Sequence, residues 1–107
     1  MKQLFELNEE IFKRPIVIYG AGNTGLDLLV ELTNRNVKVD CFCDSSEEKW
    51  GIKLMNKTVI SLDELCRRKD HVNVVIASMF FDEIKDQLEE MGVKNIFCYQ
   101  NHWRIQI

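Results

Sequence analysis

The sequence predicts an α/β domain, doubly wound about a mostly parallel sheet of about five strands. Three observations carry that expectation. Apolar runs of strand length recur at residues 15–19, 37–43, 58–60, 73–77 and 94–99. The segments between them show helical rather than alternating periodicity. The first run, "PIVIY", passes directly into "GAGNTG", a G-x-G-x-x-G spacing that opens a helix. Right-handed crossovers give the strand order 3-2-1-4-5, with helices on both faces. The reversal of winding beside the first strand then leaves a crevice at the carboxyl ends of the strands.

The elements follow in order. In residues 4–12, Leu4, Leu7 and Ile11 share a helical face, and Pro15 discourages continuation, so residues 1–14 form an amphipathic lead-in helix. Residues 15–99 form the domain proper. Its first strand is apolar throughout, as suits a strand buried on both faces. Residues 24–35 form a helix with Leu26, Leu29, Val30 and Thr33 facing inward, and Glu31 supports Arg35 at i,i+4. Residues 37–43 make the second strand, with Cys41 and Cys43 on one face. The polar "SSEEKWG" ends in a turn at Gly51, and "IKLMNKTVI" forms a ribbon-like connection into the third strand. Ser61 with Glu64 marks a capping box for a helix over residues 62–68. The fourth strand ends at Ser78. Phe81, Ile84, Leu88 and Met91 are the inward stripe of a further helix, which Gly92 stops in a left-handed cap before the fifth strand.

Residues 100–107, "QNHWRIQI", place Trp103, Ile105 and Ile107 in alternation, the pattern of an edge strand with one apolar face. Such an edge invites pairing, which makes a homodimer or a partner protein an expectation for this tail.

Composition excludes several classes. With 46% hydrophobic and 29% charged residues, a net charge of −3 and one proline, the 107 residues read as a folded domain, not a tail. No clustered basic surface suggests nucleic acid; the basic run, Arg67, Arg68 and Lys69, ends a helix, where cations suit the dipole. No apolar stretch approaches the ~20 residues of a membrane span, and the acidic start is unlike a signal peptide, so the expected compartment is the cytoplasm. Cys41, Cys43, Cys66 and Cys98 form no C-x-x-C pair. Free, core-packed thiols are expected in place of a metal site.

In the glycine turn, Gly20 permits the tight bend, Gly22 admits backbone N–H groups to a diphosphate, and Gly25 lets helix and strand lie close. Ala21, Asn23 and Thr24 complete the loop, and the helix N-terminus adds partial positive charge. Asp44 ends the second strand about 20 residues on, where an acid accepts ribose hydroxyls. Ser45 and Ser78 open the neighbouring turns. Asp44 would meet a 2′-phosphate with repulsion of about 3 kcal/mol at ~5 Å, which disfavours NADP against NAD(H). Packing alone also explains a glycine turn, and Asp44 with Ser45 and Ser46 is also a natural turn cap. Trp50 reads either as a platform for a base or as an aromatic that folds its loop back on the sheet. A P-loop is excluded by the absence of G-x-x-x-x-G-K-[ST]. No Ser/His/Asp, Cys/His or paired-acid set stands near the turn, so the isolated chain is not expected to catalyse a reaction.

Together, "VIYGAGNTG", "VDCFCDSSEEKWGIKLMNKTVISLDEL", "VNVVIAS" and "IKDQLEEMGVKNIF" resemble the small Rossmann-like domain of bacterial polysaccharide-biosynthesis proteins. The chain is similar to the amino-terminal domain of nucleotide-sugar 4,6-dehydratases and, more loosely, of sugar O-acyltransferases. The run Asp44, Lys49, Gly51, Val59 and Leu65 carries the more specific part of the likeness. The acyltransferase group spaces its glycines G-x-x-G-x-G, whereas this chain keeps the dinucleotide spacing. The resemblance implies a nucleotide or nucleotide-sugar, such as a UDP-sugar, held at Gly20, Gly22, Gly25 and Asp44, with chemistry residing in another domain. The expected function is therefore a non-catalytic binding module in polysaccharide or sugar metabolism. An NAD(H)-binding subunit completed by a partner chain and a ligand-free assembly scaffold stay open beside it.

Overall fold

The structure is a computed structural model that describes residues 2–3 and 13–99. In chain order its elements are β1 (Lys2–Gln3), β2 (Ile16–Tyr19), α1 (Asn23–Asn34), β3 (Val39–Cys43), a 3₁₀ turn (Glu47–Lys49), β4 (Lys53–Leu54), β5 (Lys57–Ile60), α2 (Leu62–Arg68), β6 (Asn73–Ile76), α3 (Phe81–Glu90) and β7 (Ile96–Cys98). The sheet order is β1-β7-β6-β2-β3-β5-β4. All pairs are parallel except β4 with β5. Read from β5 through β3, β2 and β6 to β7, this is the anticipated 3-2-1-4-5 order, so the fold is the doubly wound, Rossmann-like α/β domain that the sequence predicts.

Residues alternate across the sheet because successive side chains in a strand point to opposite faces. Ile16, Ile18, Phe42, Val75 and Phe97 meet Leu28, Leu29 and Leu32 of α1 on one face. Val17, Tyr19, Cys41, Cys43, Val74 and Ile76 meet Leu65 of α2 and Leu88 of α3 on the other. Every residue of β2 and β6 is buried, the signature of central strands covered on both sides.

Three expectations need correction or extension. The inward face of α1 is Gly25, Leu28, Leu29 and Leu32, while Val30 is 44% exposed and Thr33 faces solvent. The helix is rotated about its axis from the expected stripe because Gly25 lies against the Gly20 carbonyl, and that contact decides which face turns inward. Lys2–Gln3, expected inside the lead-in helix of residues 1–14, instead pairs in parallel with Phe97 and Cys98 as an extra edge strand. The Ser61 cap is half of a capping box: Ser61 Oγ accepts from Glu64 N at 3.1 Å, but the Glu64 carboxylate turns to Arg67 at 3.0 Å and Arg68 at 2.8 Å. The expected helix over residues 4–12 and the expected edge strand over residues 100–107 lie outside the described residues.

The connection from β3 to β5 includes the antiparallel β4–β5 hairpin, whose turn residues, Met55 and Asn56, both take positive φ, +49° and +68°. That geometry matches the right-handed twist of the flanking strands. The basic run at the end of α2 is engaged by the protein itself. Arg68 also reaches Asp40 at 3.3 Å, and Lys69 Nζ donates to the Met91 carbonyl at 3.3 Å, covering the end of α3.

Candidate functional site

The winding reverses at β2, which pairs with β3 on one side and β6 on the other. Tyr19, Cys43 and Ile76 stand level in these ladders, so the turns that follow all emerge at one edge of the sheet. Gly20 N–H donates to the Cys43 carbonyl at 2.8 Å, and Ala77 N–H to the Tyr19 carbonyl at 2.9 Å. A cleft of about 330 Å³ opens there between the strand ends and α3. It is lined by Tyr19 at the end of β2, by Gly20, Asp44, Ser45 and Ser78 in the turns beyond the strands, and by Phe80, Glu83, Ile84 and Gln87 along α3 and its entry. A larger hollow of about 460 Å³ lies at the other end of the sheet, among Lys13, Arg14, Ile16 and Lys38. Ligands of open α/β sheets bind at the carboxyl ends, so the smaller cleft is the candidate site.

The three glycines differ in what their own chain requires of them. Gly20 has φ +119°, and an added Cβ would lie 2.5 Å from the Ala77 carbonyl oxygen. A Cβ on Gly25 would run into the Gly20 carbonyl. Gly22 is different: its φ of −110° suits any residue, and a Cβ there would have nothing within 4 Å. As the cap of α1 it brings no side-chain oxygen, and no acid lies in the first turn. The leading N–H groups of α1, including those of Asn23 and Thr24, therefore carry the helix's positive end without a side-chain cap.

Asp44 is built into the loops around it. Its Oδ2 accepts from Ala21 N–H at 2.8 Å and its Oδ1 from Ser46 N–H at 2.9 Å. Lys49 Nζ lies 3.7 Å from Oδ2, and Trp50 Nε1 donates to the Asp44 carbonyl at 2.6 Å. Asp44 thus caps its own turn and also ties that turn to the glycine loop. Each carboxylate oxygen keeps a second lone pair. Trp50 folds its loop back onto the end of β3, which fits the second of its two readings. Ser78 Oγ accepts from Phe80 N–H at 3.1 Å and so shapes the entry to α3.

Of the residues singled out in the sequence, Gly20, Asp44, Ser45 and Ser78 line the cleft, Ala21 joins the glycine loop to Asp44, and Gly22, Asn23, Thr24 and Gly25 form the adjoining start of α1. Sequence reasoning passed over Tyr19 and the wall from α3. Tyr19 reads as the last apolar residue of a buried strand, and it is only 3% exposed. Its hydroxyl nevertheless has no hydrogen-bond partner. Burial, with the neighbouring Cys43 thiol second, pushes the hydroxyl up to about 12; Ser45 lies near it but not in hydrogen-bonding geometry. The group stays protonated and is a donor. The α3 wall carried a signal in Glu83 and Gln87, polar positions one turn apart beside the inward Ile84.

The described residues contain no cluster of His, Cys, Asp or Glu arranged for a metal, and no helix among them is long and apolar enough to cross a membrane.

Solved structures resemble this arrangement. UDP-D-quinovosamine 4-dehydrogenase from Vibrio fischeri superposes with a TM-score of 0.65 at 27% identity, over 83% of this chain and 80% of that one. RSP, a Rex-family repressor, gives 0.63 at 18% identity over 82% of this chain and 46% of its own. The same repressor in complex with β-NADH gives 0.60 at 18% identity over 83% and 47%. The chain therefore spans about half the length of that repressor, and at such identity the likeness is one of fold. No curated protein matches the sequence. The glycine turn, the β2 switch and Asp44 just beyond β3 all fall within residues 12–96, the span matched by the family described as C2185-like, N-terminal, and the chain belongs to that family.

Proposed function

We propose that this domain binds a nucleotide, with the diphosphate against Gly22 and the start of α1 and the ribose at Asp44. Gly22 carries the reading. Ser, Asp or Asn at this N-cap would stabilise α1 by about a few tenths of a kcal/mol over glycine, and nothing in the chain forbids them there. A glycine at that position leaves open space and exposed N–H donors for an anion. Asp44 fits the ribose by the second lone pairs of its two oxygens, its orientation being fixed by Ala21 and Ser46.

NAD(H) is the first candidate. The dinucleotide glycine spacing supports it, as does the fold shared with a repressor that forms a complex with β-NADH. NADP is disfavoured, since Asp44 and Glu83 both line the cleft a 2′-phosphate would approach. A UDP-sugar is the second candidate, supported by the fold shared with a 4-dehydrogenase of UDP-D-quinovosamine. In either case the domain supplies binding and orientation. Any chemistry belongs to a partner or to another domain, in keeping with a module of sugar or polysaccharide metabolism.

Calorimetric titration with NADH, NADPH, UDP and a UDP-sugar tests this reading. Gly22→Val should abolish binding while the fold survives with a modestly lower melting temperature, because its side chain enters the ligand's space, its Cβ meets nothing of the protein's own, and valine is a poorer N-cap than glycine. Asp44→Asn should weaken binding by about 1.5–3 kcal/mol, roughly 10- to 150-fold, and narrow the preference for NADH over NADPH if a dinucleotide is the ligand. Equal affinity of all three proteins for every ligand would reduce the glycine turn to architecture.

A further inference from the structure

The cleft contains one group that neither the glycine turn nor Asp44 accounts for. Tyr19 lines it with a side chain only 3% exposed, and its hydroxyl, buried beneath that lining and protonated, has no hydrogen-bond partner. A buried donor left unmade is costly in a folded protein, and most such groups are satisfied. Phenylalanine would fill the same volume in β2 without that cost. Resting on the nucleotide reading above, we infer that the Tyr19 hydroxyl is a specificity group that donates a hydrogen bond to the uncharged, base-bearing end of the ligand.

The lining selects that end of the molecule. Asp44 and Glu83 line the cleft and no lysine or arginine among its described lining residues does, the nearby Lys49 being paired with Asp44 at 3.7 Å, so the cleft suits uncharged groups better than phosphate, which belongs at the start of α1. Phe80 and Ile84 offer apolar surface to a flat ring, and Gln87 an amide to its edge. A nucleobase combines apolar faces with hydrogen-bond acceptors on its rim, and the tyrosine supplies the complementary donor from below. A site built to hydrogen-bond a ligand atom discriminates strongly against ligands that lack it, because the buried group is then unpaired again.

The experiment uses wild type and Tyr19→Phe with NADH, ADP, UDP and ribose 5-phosphate, together with thermal melts of both proteins without ligand. The expected result is a roughly 5- to 100-fold loss of affinity in Tyr19→Phe for whichever base-carrying ligand the wild type binds, with no loss for ribose 5-phosphate. The ligand-free variant should melt at the same temperature or higher, since it loses a hydroxyl that had no partner. Equal affinity of the two proteins for the base-carrying ligand would overturn the inference while leaving the nucleotide reading intact. So would a loss shared by ribose 5-phosphate, or a lower melting temperature of the free variant, which would give the hydroxyl a structural partner. A wild type that binds no nucleotide overturns the parent reading and this one with it.

Discussion

A single methyl group separates the roles of the three loop glycines. At Gly25 it would enter the Gly20 carbonyl, which is backbone and cannot swing aside, so helix and strand must part. Gly25→Ala is expected to destabilise the domain by about 1–3 kcal/mol, the usual cost of overpacking, and by more if α1 cannot shift. Gly22→Ala should cost no more than about 1 kcal/mol, since its methyl meets open space and only glycine's advantage over alanine at an N-cap is lost. Chemical denaturation of the two variants makes the comparison, and a large loss at Gly22 would contradict the account of that residue. The glycine spacing and the acid at Asp44 were legible in the sequence because both are local signals. Which glycine serves the fold and which is free of it was not, since that depends on the Gly20 and Ala77 carbonyls lying nearby. The same holds for Tyr19, where an apolar run conceals one polar atom.

Among the elements, strand and helix positions were legible because their apolar patterns are distinct and their ends are marked by Ser61, Gly92 and the glycine turn. The rotation of α1 was not. Leu26, Leu28, Leu29, Val30 and Leu32 crowd the helix with apolar residues on more than one face, so periodicity alone supports two stripes. Only the approach of Gly25 to Gly20 selects one of them. Leu28 and Leu32 are wholly buried, so Leu28→Ala should cost about 2–5 kcal/mol, whereas Val30→Ala should cost far less. Similar losses at both positions would return the helix to the stripe first expected. The hairpin gives a test of the opposite sign. Met55 and Asn56 hold positive φ, a conformation that asparagine and glycine adopt with less strain, so Met55→Asn with Asn56→Gly should raise the melting temperature. A lower melting temperature would contradict the turn geometry. The pairing of Lys2–Gln3 with β7 left no trace in the sequence, because two polar residues carry no alternation to read.

At the scale of the whole molecule, the two-sided burial that makes the sheet also fixes how the protein responds to alkali. The free thiols Cys41, Cys43 and Cys98 are buried in the sheet with the Tyr19 hydroxyl. Burial pushes Cys41 and Cys98 up to about 11 and Cys43 to about 12, from an ordinary value of 9.0. Tyr19 rises from 10.0 to about 12 for the same first cause. Each group holds its proton in the folded protein at pH values where the unfolded chain has released it. The unfolded state then binds fewer protons, and stability falls as pH rises. The contribution is fully present below about pH 9 and declines through the window from 9 to about 12. Within the window each thiol adds a slope of up to about 1.4 kcal/mol per pH unit. Denaturant titrations between pH 7 and 11 should show a plateau and then a steep fall, and Cys43→Ala should flatten the fall by about that slope after its own cavity cost is subtracted at pH 7. Iodoacetamide at neutral pH should label Cys66, the half-buried thiol, ahead of the other three. Stability held level to pH 10.5, or uniform labelling of all four thiols in the native protein, would show that the sheet is not sealed on the face that carries Cys41, Cys43 and Tyr19.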